Sequence, residues 1–412
     1  MKYVNSLKYM NSFEPLGDIS LVSQKRIREL CADIGRINVG TSGIFLPSGQ
    51  ASHATAVMLE AVIKSAGYKV GRITSVGGFE SRAVVYLDGE IAPIDEYNKS
   101  VAELKSAILK YTDEKYYKEE VSFVLALLLC KMRGCEFVIF EGLSGIGYSF
   151  DAVCAPYDLV LVPSIYESYT ESSQIVCEAI RRGVREVVSG NQKRRIYDEI
   201  SSACFTGGVR LTFTSKQSFR IESVSSRGLS FTYSDRSGYT LRSPSLVQRE
   251  SAMLVIESAL AIRRDGVKLP WASISAGLAA AQGTGCFETV SVSPIVIMDS
   301  SKNAEESAML VLALDEVFGR NTATSFYICL PYQGKDALNS FDVKDIKGLI
   351  ALGQIDAAEY ESSGAVLIEK ESINDCAKEV LSLMKQGKNV LCLGSVEFAC
   401  EMKGALHKLM IV

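Results

Sequence analysis

Histidine is almost missing from this chain: His53 and His407 are the two present in 412 residues. A metal centre built from several histidines is therefore excluded. No Ser-His-Asp or Cys-His pairing is readable either. The 11 cysteines are scattered, with no C-x-x-C pair. That spacing argues against a zinc site or a disulfide framework and for a reducing cytosol. Long apolar runs are also missing. The run at residues 124–130 is far shorter than the ~20 residues that a membrane helix needs. The N-terminus, Met1-Lys2-Tyr3-Val4-Asn5, has no apolar core for export. A large excess of one charge is absent, since the net charge is −4. There is no electrostatic case for nucleic acid or for an anionic membrane. The basic cluster Lys193-Arg194-Arg195 reads as a solvated helix start. The expectation is a soluble cytoplasmic protein.

What is present is a large apolar fraction, 47% of the residues. That composition belongs to a globular chain, and the length allows two or three domains with substantial cores. Several segments are continuous apolar runs: Phe137-Val138-Ile139-Phe140, Leu159-Val160-Leu161-Val162, Ile295-Val296-Ile297-Met298 and Val390-Leu391-Cys392-Leu393. Such runs fit strands buried on both faces of a parallel sheet. Helical stretches lie between them, at residues 120–132, 304–318 and 373–385. The alternation implies an α/β architecture with helices on both faces. Residues 205–245 differ. They alternate Thr, Ser, Phe, Tyr and Arg between glycine turns, and read as a small antiparallel excursion. A domain boundary is expected near residues 291–294, where a new buried strand follows a Gly-rich stretch.

Residues 43–74 read as strand, loop, helix, strand. The loop Pro47-Ser48-Gly49-Gln50-Ala51-Ser52-His53 consists mostly of small residues, and the helix is expected over 54–66, stopped by Gly67. A Walker-type loop sits in this context, because backbone amides and a helix N-terminus cradle phosphates there. Yet the loop holds no lysine, and Ala54 stands where a magnesium-binding hydroxyl is needed. Two readings remain open. One is an ordinary Ser/Gly strand-to-helix turn. The other is a weakened anion pocket, in which the side chains of Ala51 and His53 crowd the amides.

Here the chain resembles the folylpolyglutamate synthases, relatives of the Mur ligases. Their Gly-Thr-Asn-Gly-Lys-Gly-Ser-Thr loop falls on residues 48–55, with Met58-Leu59-Glu60 and Ala66-Gly67-Tyr68-Lys69-Val70-Gly71 at matching spacing. Further likenesses follow in order: Thr74-Ser75 with the short hairpin Leu87-Asp88-Gly89-Glu90-Ile91, then Val138-Ile139-Phe140-Glu141, Thr284-Gly285-Cys286-Phe287-Glu288, Asp299-Ser300-Ser301-Lys302-Asn303-Ala304 and Gly394-Ser395-Val396. They cover nearly the whole chain. The resemblance implies two α/β domains. Residues 1–292 would be a Mur-ligase-like, P-loop-type parallel sheet with helices on both faces, and residues 293–412 a smaller Rossmann-like ligase domain.

The resemblance also implies ATP and magnesium, with glutamate added to a folate by amide ligation. This chain departs from the family position by position. Ser52 replaces the phosphate lysine, Ala54 the magnesium-binding serine, and Ser168 a metal-binding histidine. Val176 replaces a lysine that carries a carbamate, Cys286 an arginine, and Lys302 a histidine. Glu141 matches a magnesium-binding glutamate, and one carboxylate does not make a hard-cation site unless substrate phosphates and waters complete it. The candidate phosphate-loop and cleft residues are Ser48, Gly49, Gln50, Ala51, Ser52, His53, Thr55, Glu141, Asp299, Lys302 and Asn303. No catalytic residue is assigned, no metal site is expected, and no cofactor is expected. Removing one preorganised charge-stabilising group typically costs about 10²–10³ in rate, and several are absent here. The expectation is an inactive homologue acting as a binding or partner subunit, with a small-molecule ligand in the interdomain cleft or a protein partner. The alternative is an active ATP-dependent amide ligase with a rearranged nucleotide site.

Overall fold

The computed structural model describes residues 3–17, 23–49, 51–74, 82, 84–111, 114–142, 152–165, 171–281, 285–320, 325–341, 346–354 and 366–411. Helices α1 (Tyr3–Met10) and α2 (Gln24–Asp33) lead into β1 (Ser42–Leu46), α3 (Ser52–Ser65), β2 (Val70–Thr74) and the hairpin β3 (Val85–Leu87) and β4 (Glu90–Ile91). Next come α4 (Ile94–Ile108), α5 (Lys118–Arg133), β5 (Phe137–Glu141), β6 (Tyr157–Val162), α6 (Glu171–Arg182), β7 (Val184–Ser189), α7 (Arg194–Gly207) and β8 (Arg210–Phe213). Strands β9 (Phe219–Ser225), β10 (Gly228–Tyr233) and β11 (Arg236–Leu241) precede α8 (Leu246–Arg264) and α9 (Trp271–Ala280). The chain continues as β12 (Glu288–Val292), β13 (Ile295–Asp299), α10 (Ala304–Phe318), β14 (Phe326–Pro331), β15 (Gly348–Leu352), β16 (Val366–Lys370), α11 (Ile373–Lys385), β17 (Asn389–Leu393) and α12 (Val396–Ile411).

The chain forms two compact α/β units. The first holds Met1–Gln217 with Glu250–Ala280, and the second holds Ser218–Arg249 with Ala281–Val412. The expected boundary at 292/293 falls in the β12–β13 turn of the second unit, where the two strands pair antiparallel.

The first unit is built on an eight-stranded sheet, order β4-β3-β2-β5-β1-β6-β7-β8. It is mixed rather than wholly parallel. From β2 through β8 the strands run parallel, and β3 and β4 are an antiparallel edge. The edge turns back at Asp88-Gly89, both with positive φ, so its return is too short for a crossover helix. Helices cover both faces, and β2 shows why. Arg72 points to α3, where it meets Glu60. A Cβ on its neighbour Gly71 would lie 2.3 Å from Cys130 Sγ on α5. Only a hydrogen fits there, so α5 approaches the strand backbone directly.

The second unit has a six-stranded sheet, order β12-β13-β17-β14-β15-β16, parallel apart from β12. It also has the three-stranded antiparallel sheet β11-β10-β9, whose stacked Phe219, Phe231 and Tyr239 rings make a small aromatic core. The antiparallel excursion expected over 205–245 is thus shorter. Gly208 closes α7 in the left-handed conformation, and β8 then joins β7 in parallel.

Candidate functional site

The strand ends of the first sheet lie level. Leu46 of β1 and Thr74 of β2 both register with Glu141 of β5. Carboxyl ends of parallel strands are where open α/β sheets bind ligands. The loop after β1 reaches this edge, and α3 starts at Ser52, two residues earlier than the sequence suggests. That shift places His53 on the helix rather than in the loop. His53 and Glu60 are seven residues apart, two turns, so they share one stripe of α3. This stripe faces the sheet.

Four charged or ionisable side chains meet there. Glu141 accepts from His53 Nδ1 at 2.7 Å on Oε1 and from Arg72 Nη1 on Oε2. Glu60 accepts from Arg72 Nε at 2.7 Å and from the Gly89 amide at 2.7 Å. All four carboxylate oxygens are therefore engaged. The Arg72 guanidinium carbon lies 4.3 Å from the centre of the Tyr86 ring, its cross-strand neighbour on β3. Glu60, Arg72 and Glu141 are each at most 3% exposed. Burial alone would raise the Glu141 carboxyl, but His53 and Arg72 overcome it and hold it below the usual carboxylate range. The same burial opposes charge on Arg72, and Glu141 and Glu60 more than restore it.

The loop is satisfied internally as well. Ser52 donates its hydroxyl to the Pro47 carbonyl at 2.5 Å. Ser48 donates to the Gly142 carbonyl at 2.9 Å and accepts from Ser172 through its own carbonyl at 2.7 Å. Ala51 is the buried N-cap position of α3 and offers no side-chain cap. Gly49 lies beside Ser52, whose hydroxyl is 3.3 Å from where a Cβ would stand. Thr55 points elsewhere: its hydroxyl donates to Ser251 Oγ at 3.0 Å and ties α3 to α8. Val176 is fully buried among the apolar side chains of this unit. Gln50 and Ser168 lie outside the described residues.

The remaining candidates belong to the second unit. Asp299 ends β13 and accepts from the Phe287 amide at 2.8 Å, from the Ser301 amide at 3.0 Å and from the Ser301 hydroxyl. Burial dominates its titration and pushes it up to about 6 despite those donors. Asn303 caps α10, its Oδ1 accepting from the Glu306 amide at 3.0 Å. Glu306 reaches back past the N-cap to the Lys302 amide at 2.9 Å. Asp299 and Asn303 thus shape a strand-to-helix turn. Burial pushes the Cys286 thiol up to about 12, away from a thiolate at neutral pH.

The sequence singles out Glu141 and His53, which meet directly, but not Arg72, which bridges Glu141 to Glu60. A signal was available. A charged residue in the otherwise uncharged strand Val70-Gly71-Arg72-Ile73, and a carboxylate amid the apolar helix positions Leu59 and Val62, both call for a buried partner.

No family model matches the chain. In sequence it is similar to folylpolyglutamate synthase of Lacticaseibacillus casei, 25% identical over 347 residues and covering 78% of this chain and 78% of that protein. In structure it is similar to folylpolyglutamate synthetase from Lactobacillus casei, with TM-score 0.79 and 16% identity, over 99% of this chain and 100% of that one. It is also similar to Mycobacterium tuberculosis folylpolyglutamate synthase complexed with ADP, with TM-score 0.77 and 16% identity, over 99% and 98% of the two chains. The two-unit α/β fold is shared with these proteins.

Proposed function

We propose that this chain is a catalytically inactive relative of folylpolyglutamate synthase that works as a binding or partner subunit. The observation that carries this is Glu141: both of its oxygens are held by side chains of the same unit, His53 and Arg72. The ligation implied by the resemblance passes through phosphoryl transfer. Its developing charge must be neutralised by a lysine, loop amides and metal. Ser52 supplies no charge and is turned into the loop. Ala54 offers no magnesium ligand, and Val176 cannot form a carbamate. Such losses are not additive, but any two of them would leave little ligation.

We assign the first unit the part of a degenerate nucleotide-binding domain and the second that of the ligase-type domain. The ligand class to test is a nucleotide or a folate-like acid. The test uses the purified full chain with ATP, glutamate and a reduced folate. Phosphate release should stay at the blank, and calorimetry with Mg-ATP should show no low-micromolar binding. Robust turnover would overturn the inactive reading and establish an active amide ligase with a rearranged nucleotide site.

A further inference from the structure

The residues at the end of β5 do not fit the divalent cation that the resemblance implies. A hard cation takes free oxygen lone pairs from several ligands. Glu141 has a donor on each oxygen, one from His53 and one from Arg72. Among the described residues no group of three His, Cys, Asp or Glu side chains is arranged to hold a metal ion. A cation is nevertheless present at this place, and it is part of the chain.

We propose that Arg72 is a built-in replacement for a divalent cation: it neutralises Glu141 and Glu60 from within the sheet and makes the first unit independent of metal. Charge is the first support. Two carboxylates, each about 2% exposed, cannot both stay ionised and unpaired in a protein interior. Shape is the second. The planar guanidinium forks between them, Nε to Glu60 at 2.7 Å and Nη1 to Glu141, a bridge that a point charge would otherwise make. Fixed position is the third. The Tyr86 ring lies beside the guanidinium, and the Gly89 amide and His53 hold the far oxygens of the two carboxylates. Arg72 is therefore set in place by the strand and its neighbours before any ligand arrives.

Metal binding and stability test this without reference to turnover. An active enzyme would overturn the proposed function and leave Arg72 untouched. The full chain is titrated with Mn²⁺ by electron paramagnetic resonance, and its Tm is measured with 5 mM Mg²⁺, with 5 mM Mn²⁺ and with EDTA. The expected result is no bound Mn²⁺ and the same Tm in all three. A metal-dependent rise in Tm that disappears in Glu141→Gln would overturn the proposal. Arg72→Met should lower Tm by roughly 10 °C. Mn²⁺ should then bind that variant and restore part of the loss, and adding Glu141→Gln should abolish the rescue. If Arg72→Met matches the parent in Tm and ignores Mn²⁺, the proposal fails. Should Arg72→Met not fold, the variant Glu60→Gln/Arg72→Met/Glu141→Gln decides. With no buried carboxylate left to neutralise, it should fold and ignore Mn²⁺, and a second unfolded variant overturns the charge role.

Discussion

Glu141 and Asp299 are both buried carboxylates at strand ends, yet their pH dependences have opposite signs. Glu141 is held below its ordinary value. It therefore adds stability that is complete above the unfolded value of about 4.3 and vanishes as pH falls through the lower folded value. Replacing it with glutamine leaves Arg72 with one counter-charge instead of two, at a cost of about 3–5 kcal/mol at neutral pH. The expected outcome is a large loss in chemical denaturation at pH 7 that shrinks as the pH drops below about 4. Parallel curves for parent and Glu141→Gln across that range would show that the pairing does not stabilise the fold. Asp299 is raised to about 6. Its contribution is complete below the unfolded value of about 3.9 and is lost as pH rises through about 6. Carbon-13 NMR of the side-chain carboxyl should give a midpoint near 6, and a midpoint near 4 would remove the burial effect.

Among the elements, α3 carries the site because of how tightly it is held from both sides. Its sheet-facing stripe sets His53 and Glu60 against β2 and β5. Its other side meets α9, where a Cβ on Gly277 would lie 2.4 Å from Val62 Cα and 2.6 Å from Val62 N. Two effects oppose each other in Gly277→Ala. Helix propensity favours alanine by about 1 kcal/mol. The clash is with backbone, which cannot swing aside, and overpacking costs about 1–3 kcal/mol or more. The clash should win, giving a lower Tm and a looser α3–α9 contact seen as faster amide exchange in α3. A gain in Tm would mean that the helices separate without penalty. At α10 the expectation is smaller. Asn303→Ala removes the side-chain cap and should cost about 1 kcal/mol in denaturant unfolding, so an unchanged midpoint would mean that the cap does not stabilise the helix.

At the scale of the whole molecule, the chain order and the units do not coincide. The antiparallel strands β9 to β11 belong to the second unit, although residues of the first unit both precede and follow them. The site obeys the same lesson. Placing a lysine and a serine in the loop with Ser52→Lys and Ala54→Ser leaves Arg72 and His53 on Glu141. That double variant should therefore still show no low-micromolar Mg-ATP binding in calorimetry. Tight binding by it would mean that the loop, and not the locked carboxylate, limits the site.

The amino-acid sequence by itself determined the α/β class, the buried strands at 137–140, 159–162, 295–298 and 390–393, the helix spans at 304–318 and 373–385, and the likeness to folylpolyglutamate synthase. Those depend on local periodicity and on motif order, which are written along the chain. It also showed that the loop holds no lysine. Only the tertiary structure decided which side chains meet at Glu141. Arg72 lies 69 residues from Glu141 and 12 from Glu60, and no spacing rule joins a strand to a helix and a second strand across those distances. Strand order brought β2 beside β5, and two helical turns of α3 laid His53 and Glu60 over both. A buried charge must find its partner in space, and that partner is set by packing rather than by position in the chain.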